Sequence, residues 1–305
     1  KTAESLMIAG AFVLYGSEFA ELCEQVGKQD LAGEARGHIE AMKNAINKHG
    51  WDGKWFLRAY DAAGNKVGSD ESADGKIFIE SQGFCCMAGV GLDDGRAKIA
   101  LDSTKEHLAC EYGIVLVYPA YKTYHIELGE ISTFLPGYKE NGSIFCHNNP
   151  WIMIAETKLG RGEHAFDYWR KIAPSYNEEI SELHKTEPYV YSQMIAGKEA
   201  YRPGEAKNSW LTGTAAWNFV AITQYIFGIK PDYNGLQIDP CIPKHWSDFT
   251  VKRTFRDEVF NIRITNPNRV SKGVQKIIMD GKELPSNVLP LSTGKTEHEV
   301  EVVMV

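Results

Sequence analysis

The feature that most constrains the fold of this chain is a change of hydrophobic period near Pro231. Before that point, apolar residues recur at the three-to-four-residue spacing of amphipathic helices, and the helical segments follow one another without intervening strands. After it, short runs alternate between apolar and polar residues, as strands do. The sequence therefore predicts a helical region over 1–230 and a smaller β domain over 231–305.

Seven segments of the first region have a helical pattern. The loops between them are long and rich in aromatic residues, Gly, Asn and Asp, and such loops commonly carry binding residues. We therefore expect an α-solenoid or α/α toroid with its site in the loops at one end. The predicted helices cover residues 3–27, 31–48, 80–90, 94–111, 150–160, 162–174 and 209–227.

The second region is predicted to be a small antiparallel β-sandwich. Asp280-Gly281 is a hairpin signal between two of its strands. The predicted strands lie in the stretches GLQIDP (235–240), FTVKRTF (249–255), VFNIRITNP (259–267), VQKIIMDGKEL (274–284) and EHEVEVVMV (297–305).

Charge and composition exclude several classes of protein. The 305 residues carry a formal net charge of −7, which argues against a general binder of nucleic acid or anionic membranes. No run of 18 apolar residues occurs, so we expect no membrane-spanning segment. The six scattered cysteines are typical of reduced thiols, and the absence of any CxxC or HxxxH pair argues against a metal site.

The stretch FCHNNPW (145–151) raises the question of what His147 does. Adjacent residues of an extended segment point to opposite sides, so Cys146 and His147 do not form a nucleophile and its base. His147 is either a structural residue or a donor to an oxyanion or phosphate. Asn149-Pro150 is a helix start, with Asn as N-cap and Pro at the first helical position.

The stretch WDGKWFLRAYD (51–61) has two interpretations. Trp51 and Trp55 would stack on the apolar faces of a sugar while Asp52 accepts from its hydroxyls. Alternatively, the two tryptophans cover the core and Asp52 forms a turn with Gly53. The residues alone do not decide between them.

Two further stretches also remain open. Glu127, Glu130, Lys139 and Glu140 belong either to a solvated loop or to a site. The segment 208–217 begins a helix with hydroxyl and glycine residues. It forms either an anion site at a helix start or an N-cap followed by small-residue packing.

Taken together, several long stretches closely resemble the cellobiose phosphorylases of glycoside hydrolase family 94. The resemblance covers essentially the whole chain. The stretches are WDGKWFLRAYDAAGNKVGS, GKIFIESQGF, GEISTFLPGYKENGSIFCHNNPWIMIAE, KTEPYVYSQMIAG and SWLTGTAAWNFVAITQYIFGIKPDYNGLQIDPCIP.

The resemblance implies the later part of an (α/α)6 barrel over 1–230, followed by the C-terminal β domain. It also implies a cytoplasmic homodimer without a metal or organic cofactor. The implied reaction is reversible, inverting phosphorolysis of cellobiose to α-D-glucose 1-phosphate and glucose, with phosphate as a substrate. No nucleic acid or membrane partner is implied.

The resemblance also assigns residues by motif. His147 of FCHNNPW, Gln193 of YSQMIAG, and Thr212 and Gly213 of LTGTAAW match the family's phosphate contacts. Two further residues match those that hold the acceptor glucose: Glu130 of GEIS and Lys139 of GYKEN.

The catalytic acid of the family is the Asp of a Trp-Asn-Asp motif just ahead of the AESLMIAG helix, and no such tripeptide occurs here. Asp52 is a poor substitute because its motif is a separate one in the family. We therefore expect the chain to be a C-terminal portion, with the acid upstream of Lys1 and the isolated fragment inactive.

Three alternatives to this function remain. The first is a related phosphorylase acting on chitobiose, laminaribiose or cellodextrins. The second is a hydrolase of glucoamylase-like α/α-barrel type, in which water replaces phosphate. The third is a non-catalytic carbohydrate-binding or scaffold module.

Overall fold

The structure is a computed structural model that describes residues 2–291 and 294–305. All seven predicted helices are present. The start of the last differs most from the prediction, at Thr214 rather than 209. A one-turn helix, α7, was not predicted. The α-helices of the described residues are α1 (Leu6–Gln25), α2 (Gln29–His49), α3 (Ile79–Met87), α4 (Arg96–His107), α5 (Asn149–Lys158), α6 (Gly162–Ile172), α7 (Ser181–His184) and α8 (Thr214–Val220), which continues as a π-helix (Ala221–Ile226).

Short 3-10 helices cover Ile126–Thr133, Pro174–Tyr176 and Glu178–Ile180. The strands of the described residues are β1 (Glu4–Ser5), β2 (Ala59–Tyr60), β3 (Lys66–Val67), β4 (Ile77–Phe78), β5 (Ala109–Cys110), β6 (Gly113–Ile114), β7 (Val117–Tyr118), β8 (Ile144–Phe145), β9 (Ser192–Ile195), β10 (Ala206–Ser209), β11 (Ile229–Asp232), β12 (Gly235–Ile238), β13 (Asp248–Phe255), β14 (Glu258–Thr265), β15 (Val274–Met279), β16 (Lys282–Glu283), β17 (Val288–Pro290) and β18 (Glu297–Met304).

The inner and outer helices differ in how much of each is buried. All of α3 except Glu80 is buried, as is α5 from Asn149 to Thr157, whereas α2, α4 and α6 each bury one side. α1 packs against α2 and α3, α3 against α5, and α5 against α6 and the π-helix. The chain thus combines helical layers with β-sheets, while the complete six-pair barrel stays a prediction.

The N-terminal ends of α1, α3 and α5 meet at one end of these layers. The first amide of α1, at Leu6, donates to the carbonyl oxygen of Arg58 (3.1 Å), whose guanidinium lies 3.7 Å from Glu80 in the first turn of α3. The first amide of α3 donates to Leu116 O (2.9 Å), and the amide of Leu116 donates to Ser143 O (2.8 Å), shortly before α5. The segments that precede these three helices therefore lie together at one end of the layers.

The C-terminal strands confirm the predicted β region but not its antiparallel order. One sheet has the order β11-β12-β17, and the other has the order β13-β14-β18-β15-β16. In the second sheet β14 and β18 run parallel. The prediction of an antiparallel domain was wrong because β18 inserts between β14 and β15 and runs parallel to β14, a long-range pairing that local turn signals do not specify.

One buried cluster runs through both the helical region and the C-terminal sheets, and includes Ile152, Ile226, Ile238 and Phe260. The start of α6 contacts the segment that follows β12 very closely. A Cβ atom built on Gly162 would lie 2.2 Å from Ile242 O. The predicted boundary at residue 230 therefore crosses a continuous core, and it stays a prediction.

One side of α1 remains exposed. Ile8, Phe12, Tyr15 and Phe19 are 43–62% exposed, and their spacing of four, three and four residues places them on a single stripe. The stripe borders a groove of about 720 Å³ between α1 and α2. By length and composition α1 is apolar enough to cross a membrane, which the run-length criterion missed, although core helices of soluble proteins satisfy the same test.

Candidate functional site

The candidate site is organised by a three-stranded sheet with the order β10-β9-β8. Phe145 of β8 pairs with Met194 of β9, and the amide of Cys146 donates to Gln193 O (3.0 Å) as the pairing continues. His147 is the next residue along the chain. The sheet thus brings His147 and Gln193, which are 46 positions apart in sequence, to one place.

The start of α8 is attached to the same strand. The hydroxyl of Thr214 donates to Ser192 O (3.3 Å), and Thr212 Oγ1 accepts from the amide of Thr214 (3.1 Å). Thr212 and Gly213 therefore lie next to the end of β9 that carries Gln193. The four residues assigned to phosphate by the resemblance are gathered around this strand end.

His147 is half-buried against aromatic rings. Its ring centroid lies 5.7 Å from that of Phe145 and 5.8 Å from that of Trp151, which in turn lies 6.0 Å from Trp217 of α8. Burial lowers the pKa of His147 below its usual value. Within residues 2–291 and 294–305, neither ring nitrogen is hydrogen-bonded to the protein, so one N–H of the neutral ring is available to a ligand.

Lys139 extends from a tight turn towards the same strand. Its ammonium lies 3.4 Å from Gln193 Oε1, and its backbone has a positive φ of 49°. The turn is held by Asn141, whose side chain accepts from the amide of Tyr121 (2.7 Å) and donates to Phe134 O (2.7 Å). Lys139 therefore adjoins the phosphate candidates, on a turn held by the hydrogen bonds of Asn141.

Glu130 is not part of this cluster. It is exposed on the 3-10 helix Ile126–Thr133, and no hydrogen bond or ion pair among the described residues joins its carboxylate to Lys139 or Gln193. The structure thus brings five of the six assigned residues together and leaves the sixth on a neighbouring loop.

The helix start after His147 differs from the prediction by one residue. Asn148, not Asn149, occupies the N-cap position, and it makes no side-chain capping bond. The side chain of Asn149 instead accepts from the amide of Ile114 (2.8 Å) and donates to Ile114 O (3.0 Å) and Phe145 O (3.1 Å). This buried amide fixes the start of α5 to β6, a long-range role that capping statistics do not show.

Cys146 is 1% exposed, and burial raises the pKa of its thiol, which fits the expectation that it is not a nucleophile. All six cysteines lie in the described residues as free thiols. Four of the others are buried like Cys146, namely Cys23, Cys85, Cys86 and Cys241.

The stretch WDGKWFLRAYD serves the core and a loop. Trp55 is 2% exposed, and its indole N–H donates to Gly68 O (2.9 Å). Asp52 accepts from the amide of Asp70 (2.7 Å), the hydroxyl of Ser69 (2.9 Å) and the ammonium of Lys66 (3.2 Å). Both oxygens of Asp52 therefore hold the loop 66–70 in place, which fits the interpretation of Asp52 as a turn residue.

Two residues of the candidate site escaped sequence reasoning. Asn208 of β10 donates from its side-chain amide to Gln193 Oε1 (3.0 Å). His184, which is buried, lies 3.3 Å from the hydroxyl of Ser192 through Nε2. Asn208 opens the segment 208–217 discussed above, but only the pairing of β9 with β10 indicates its contact with Gln193.

Comparison with known proteins places this geometry in context. A sequence model of the glycosyl hydrolase 94 superfamily catalytic domain matches residues 1–228. An N,N'-diacetylchitobiose phosphorylase of Vibrio proteolyticus is 34% identical over 99% of this chain and 38% of its own length. A solabiose phosphorylase of Paenibacillus borealis is 37% identical over 94% of this chain and 38% of its own length.

The chain therefore spans 38% of the length of these two relatives. Among solved structures, a sialidase matches 81% of this chain and 22% of its own, with a TM-score of 0.56 and 12% sequence identity. At that identity, the likeness concerns the fold alone.

Proposed function

This chain belongs to the glycosyl hydrolase 94 superfamily, and we propose that it carries the phosphate site of an enzyme that cleaves a β-linked disaccharide with inorganic phosphate. The observation that carries the proposal is the group of donors around the end of β9. His147, Gln193, Thr212 and Gly213 offer N–H and O–H groups without a carboxylate among them. Such a set suits an anion.

In the proposed reaction, these donors hold phosphate in line with the anomeric carbon of the sugar. An oxygen of phosphate attacks C1, the bond between C1 and the glycosidic oxygen breaks, and the configuration at C1 inverts. The departing oxygen takes a proton from a carboxylic acid. An inverting hydrolase needs a second carboxylate to activate water, whereas phosphate is already a nucleophile.

We propose that Lys139 and Glu130 hold the departing sugar, and that the proton comes from an Asp outside these 305 residues. The sequence contains no Trp-Asn-Asp tripeptide, which is the motif that the resemblance associates with the acid. The hydrogen bonds that Asp52 accepts argue against its taking this role. Both of its oxygens already accept from groups of the loop 66–70.

We propose cellobiose as the substrate, with α-D-glucose 1-phosphate and D-glucose as products. The two relatives named above act, by their names, on N,N'-diacetylchitobiose and solabiose, so these are the rival substrates, with laminaribiose and cellodextrins. We further propose a cytoplasmic homodimer that needs no metal or organic cofactor.

The test measures turnover of each disaccharide by the protein at its natural full length, with and without phosphate. We expect no turnover without phosphate, and a sugar 1-phosphate of α configuration by NMR. His147→Ala should raise the KM for phosphate, while His245→Ala, which changes an exposed histidine of the C-terminal region, should not. Phosphate-independent release of reducing sugar would instead identify a hydrolase.

A further inference from the structure

We propose that Asn208 is a positioning residue that determines which end of the Gln193 carboxamide faces the bound phosphate. The inference rests on the proposed function and deepens it. It concerns a residue of β10 that has no place in the phosphate assignment above, and it follows from the hydrogen bonds around one oxygen atom.

Asn208 lies directly across from Gln193 in the sheet. Lys207 pairs with Met194 and Ser209 pairs with Ser192, so Asn208 and Gln193 are the cross-strand neighbours between these pairs. The side-chain Nδ2 of Asn208 donates to Gln193 Oε1 at 3.0 Å. β8 lies on the other side of β9. There the backbone carbonyl of Gln193 accepts from the amide of Cys146, the residue before His147.

The contact with Lys139 identifies the accepting atom of the Gln193 side chain as its oxygen. Lys139 Nζ lies 3.4 Å from the same atom of Gln193. An ammonium can only donate, so the atom that faces it must be the carboxamide oxygen. With Lys139 and Asn208 both donating, the two lone pairs of Oε1 are used.

This arrangement leaves Nε2 of Gln193, with its two hydrogens, directed away from Lys139 and Asn208. A carboxamide turned by 180° about its last torsion would occupy the same space but would present oxygen, an acceptor, to the anion. Because an acceptor facing phosphate is repelled, the bonds to Oε1 select the orientation that binds. Asn208 contributes the shorter of the two bonds.

The backbone of Asn208 allows its side chain to be tested separately. Its φ of 56° lies in the left-handed region, which Asn tolerates and Gly adopts freely. Asn208→Gly therefore removes the amide while the strand conformation remains accessible. Asn208→Ala removes the same amide but adds backbone strain.

The experiment measures the KM for phosphate and the KM for disaccharide in the full-length protein carrying Gln193→Ala, Asn208→Gly, or both. We expect Gln193→Ala to raise the KM for phosphate roughly ten- to a hundredfold, and Asn208→Gly roughly three- to tenfold, since a hydrogen bond to a charged group is lost or misaligned. The KM for disaccharide should change far less. In the double variant, Asn208→Gly should have no further effect, because the group through which it acts is already gone.

Asn234→Gly, in the exposed turn between β11 and β12, is the matched control and should leave both KM values unchanged. If the effects of Asn208→Gly and Gln193→Ala multiply, or if Asn208→Gly has no effect while Gln193→Ala does, the positioning role is refuted and the phosphate site stands. If Gln193→Ala itself leaves the KM for phosphate unchanged, the assignment of Gln193 fails, and the role of Asn208 fails with it.

Discussion

His147 combines an aromatic environment with ring nitrogens that have no hydrogen-bond partner among the described residues. Burial favours its neutral form and lowers its pKa, so in the absence of a ligand the ring offers a single N–H. A bound phosphate would add negative charge close to the ring and favour the imidazolium. Binding of the proposed phosphate ligand would therefore change the protonation equilibrium of His147.

We expect the pKa of His147 to rise when phosphate binds. The measurement is a titration of the histidine Cε1–H resonances by NMR with and without inorganic phosphate, with His147→Ala used to assign the signal. Chloride at matched ionic strength is the control. An unchanged His147 titration at saturating phosphate would contradict a direct contact.

Asn149 and Asn148 make a matched pair of buried neighbours with different tasks. Asn149 satisfies two backbone groups of Ile114 and one of Phe145, whereas Asn148 Oδ1 has no partner among the described residues. We expect Asn149→Ala to lower the free energy of unfolding by about 3 kcal/mol, because buried backbone groups lose their partners. Asn148→Ala should cost about 1 kcal/mol or less.

Urea denaturation followed by circular dichroism measures both variants. Equal losses of stability for the two would show that the hydrogen bonds of Asn149 do not hold the start of α5.

Among the secondary-structure elements, the helices could be predicted from the hydrophobic period of the sequence, whereas two features could not. The last helix is predicted from residue 209, yet Asn208 and Trp210 adopt positive φ values of 56° and 71°, and α8 begins only at Thr214. Residue composition does not reveal such conformations, because they are imposed by the pairing of β10 with β9. The parallel pairing of β14 with β18 is likewise a long-range contact that the local sequence does not predict.

The residues of the candidate site also divide into those that local motifs indicate and those that only the folded sheet reveals. The motifs indicate His147, Gln193 and Lys139 through the resemblance, and all three lie around one strand end in the structure. Asn208 was missed because its partner lies 15 positions away on another strand. Local motifs identify residue types, whereas cross-strand partners emerge only from the folded sheet.

The turn that carries Lys139 depends on close packing at Gly137. A Cβ atom there would lie 2.2 Å from Ala200 N, at a φ of 81°. Gly129, on the adjacent loop, has a φ of 69° but nothing within 4 Å of such an atom. We expect Gly129→Ala to cost roughly 1–3 kcal/mol of stability from backbone strain alone, because its positive φ with a ψ of −145° is a conformation that only glycine adopts readily.

We expect Gly137→Ala to cost more than Gly129→Ala, at least about 3 kcal/mol, since it adds a steric overlap to the strain of a positive φ. It should also raise the KM for the acceptor sugar in the synthetic direction. Thermal and urea unfolding compare the two variants, and similar losses for both would argue against tight packing of the turn.

On the scale of the whole molecule, the start of α6 joins the helical layers to the C-terminal sheets. Glu163 accepts from the amide of Lys244 (2.8 Å) and from the hydroxyl of Ser271 (2.7 Å). Burial acts to raise the pKa of Glu163, but these hydrogen bonds outweigh it, and the pKa is lowered. Its contribution to stability is therefore present above its usual pKa of 4.5 and is lost as the pH falls through the lowered value.

We expect Glu163→Gln to lower the melting temperature at pH 7 and to reduce the difference in stability between pH 7 and pH 4. Glu179→Gln, at an exposed position, should change neither quantity. Differential scanning calorimetry at both pH values makes the comparison. A variant as stable as the wild type at pH 7 would show that this contact does not join the two regions.

The apolar stripe of α1 has a consequence for how the chain behaves in concentrated solution. The charge of −7 disperses molecules through repulsion over about 10 Å at 0.1 M salt. The stripe attracts at contact and is not weakened by salt. Adding salt therefore removes the repulsion and leaves the attraction, so the colloidal stability of the chain should fall as ionic strength rises.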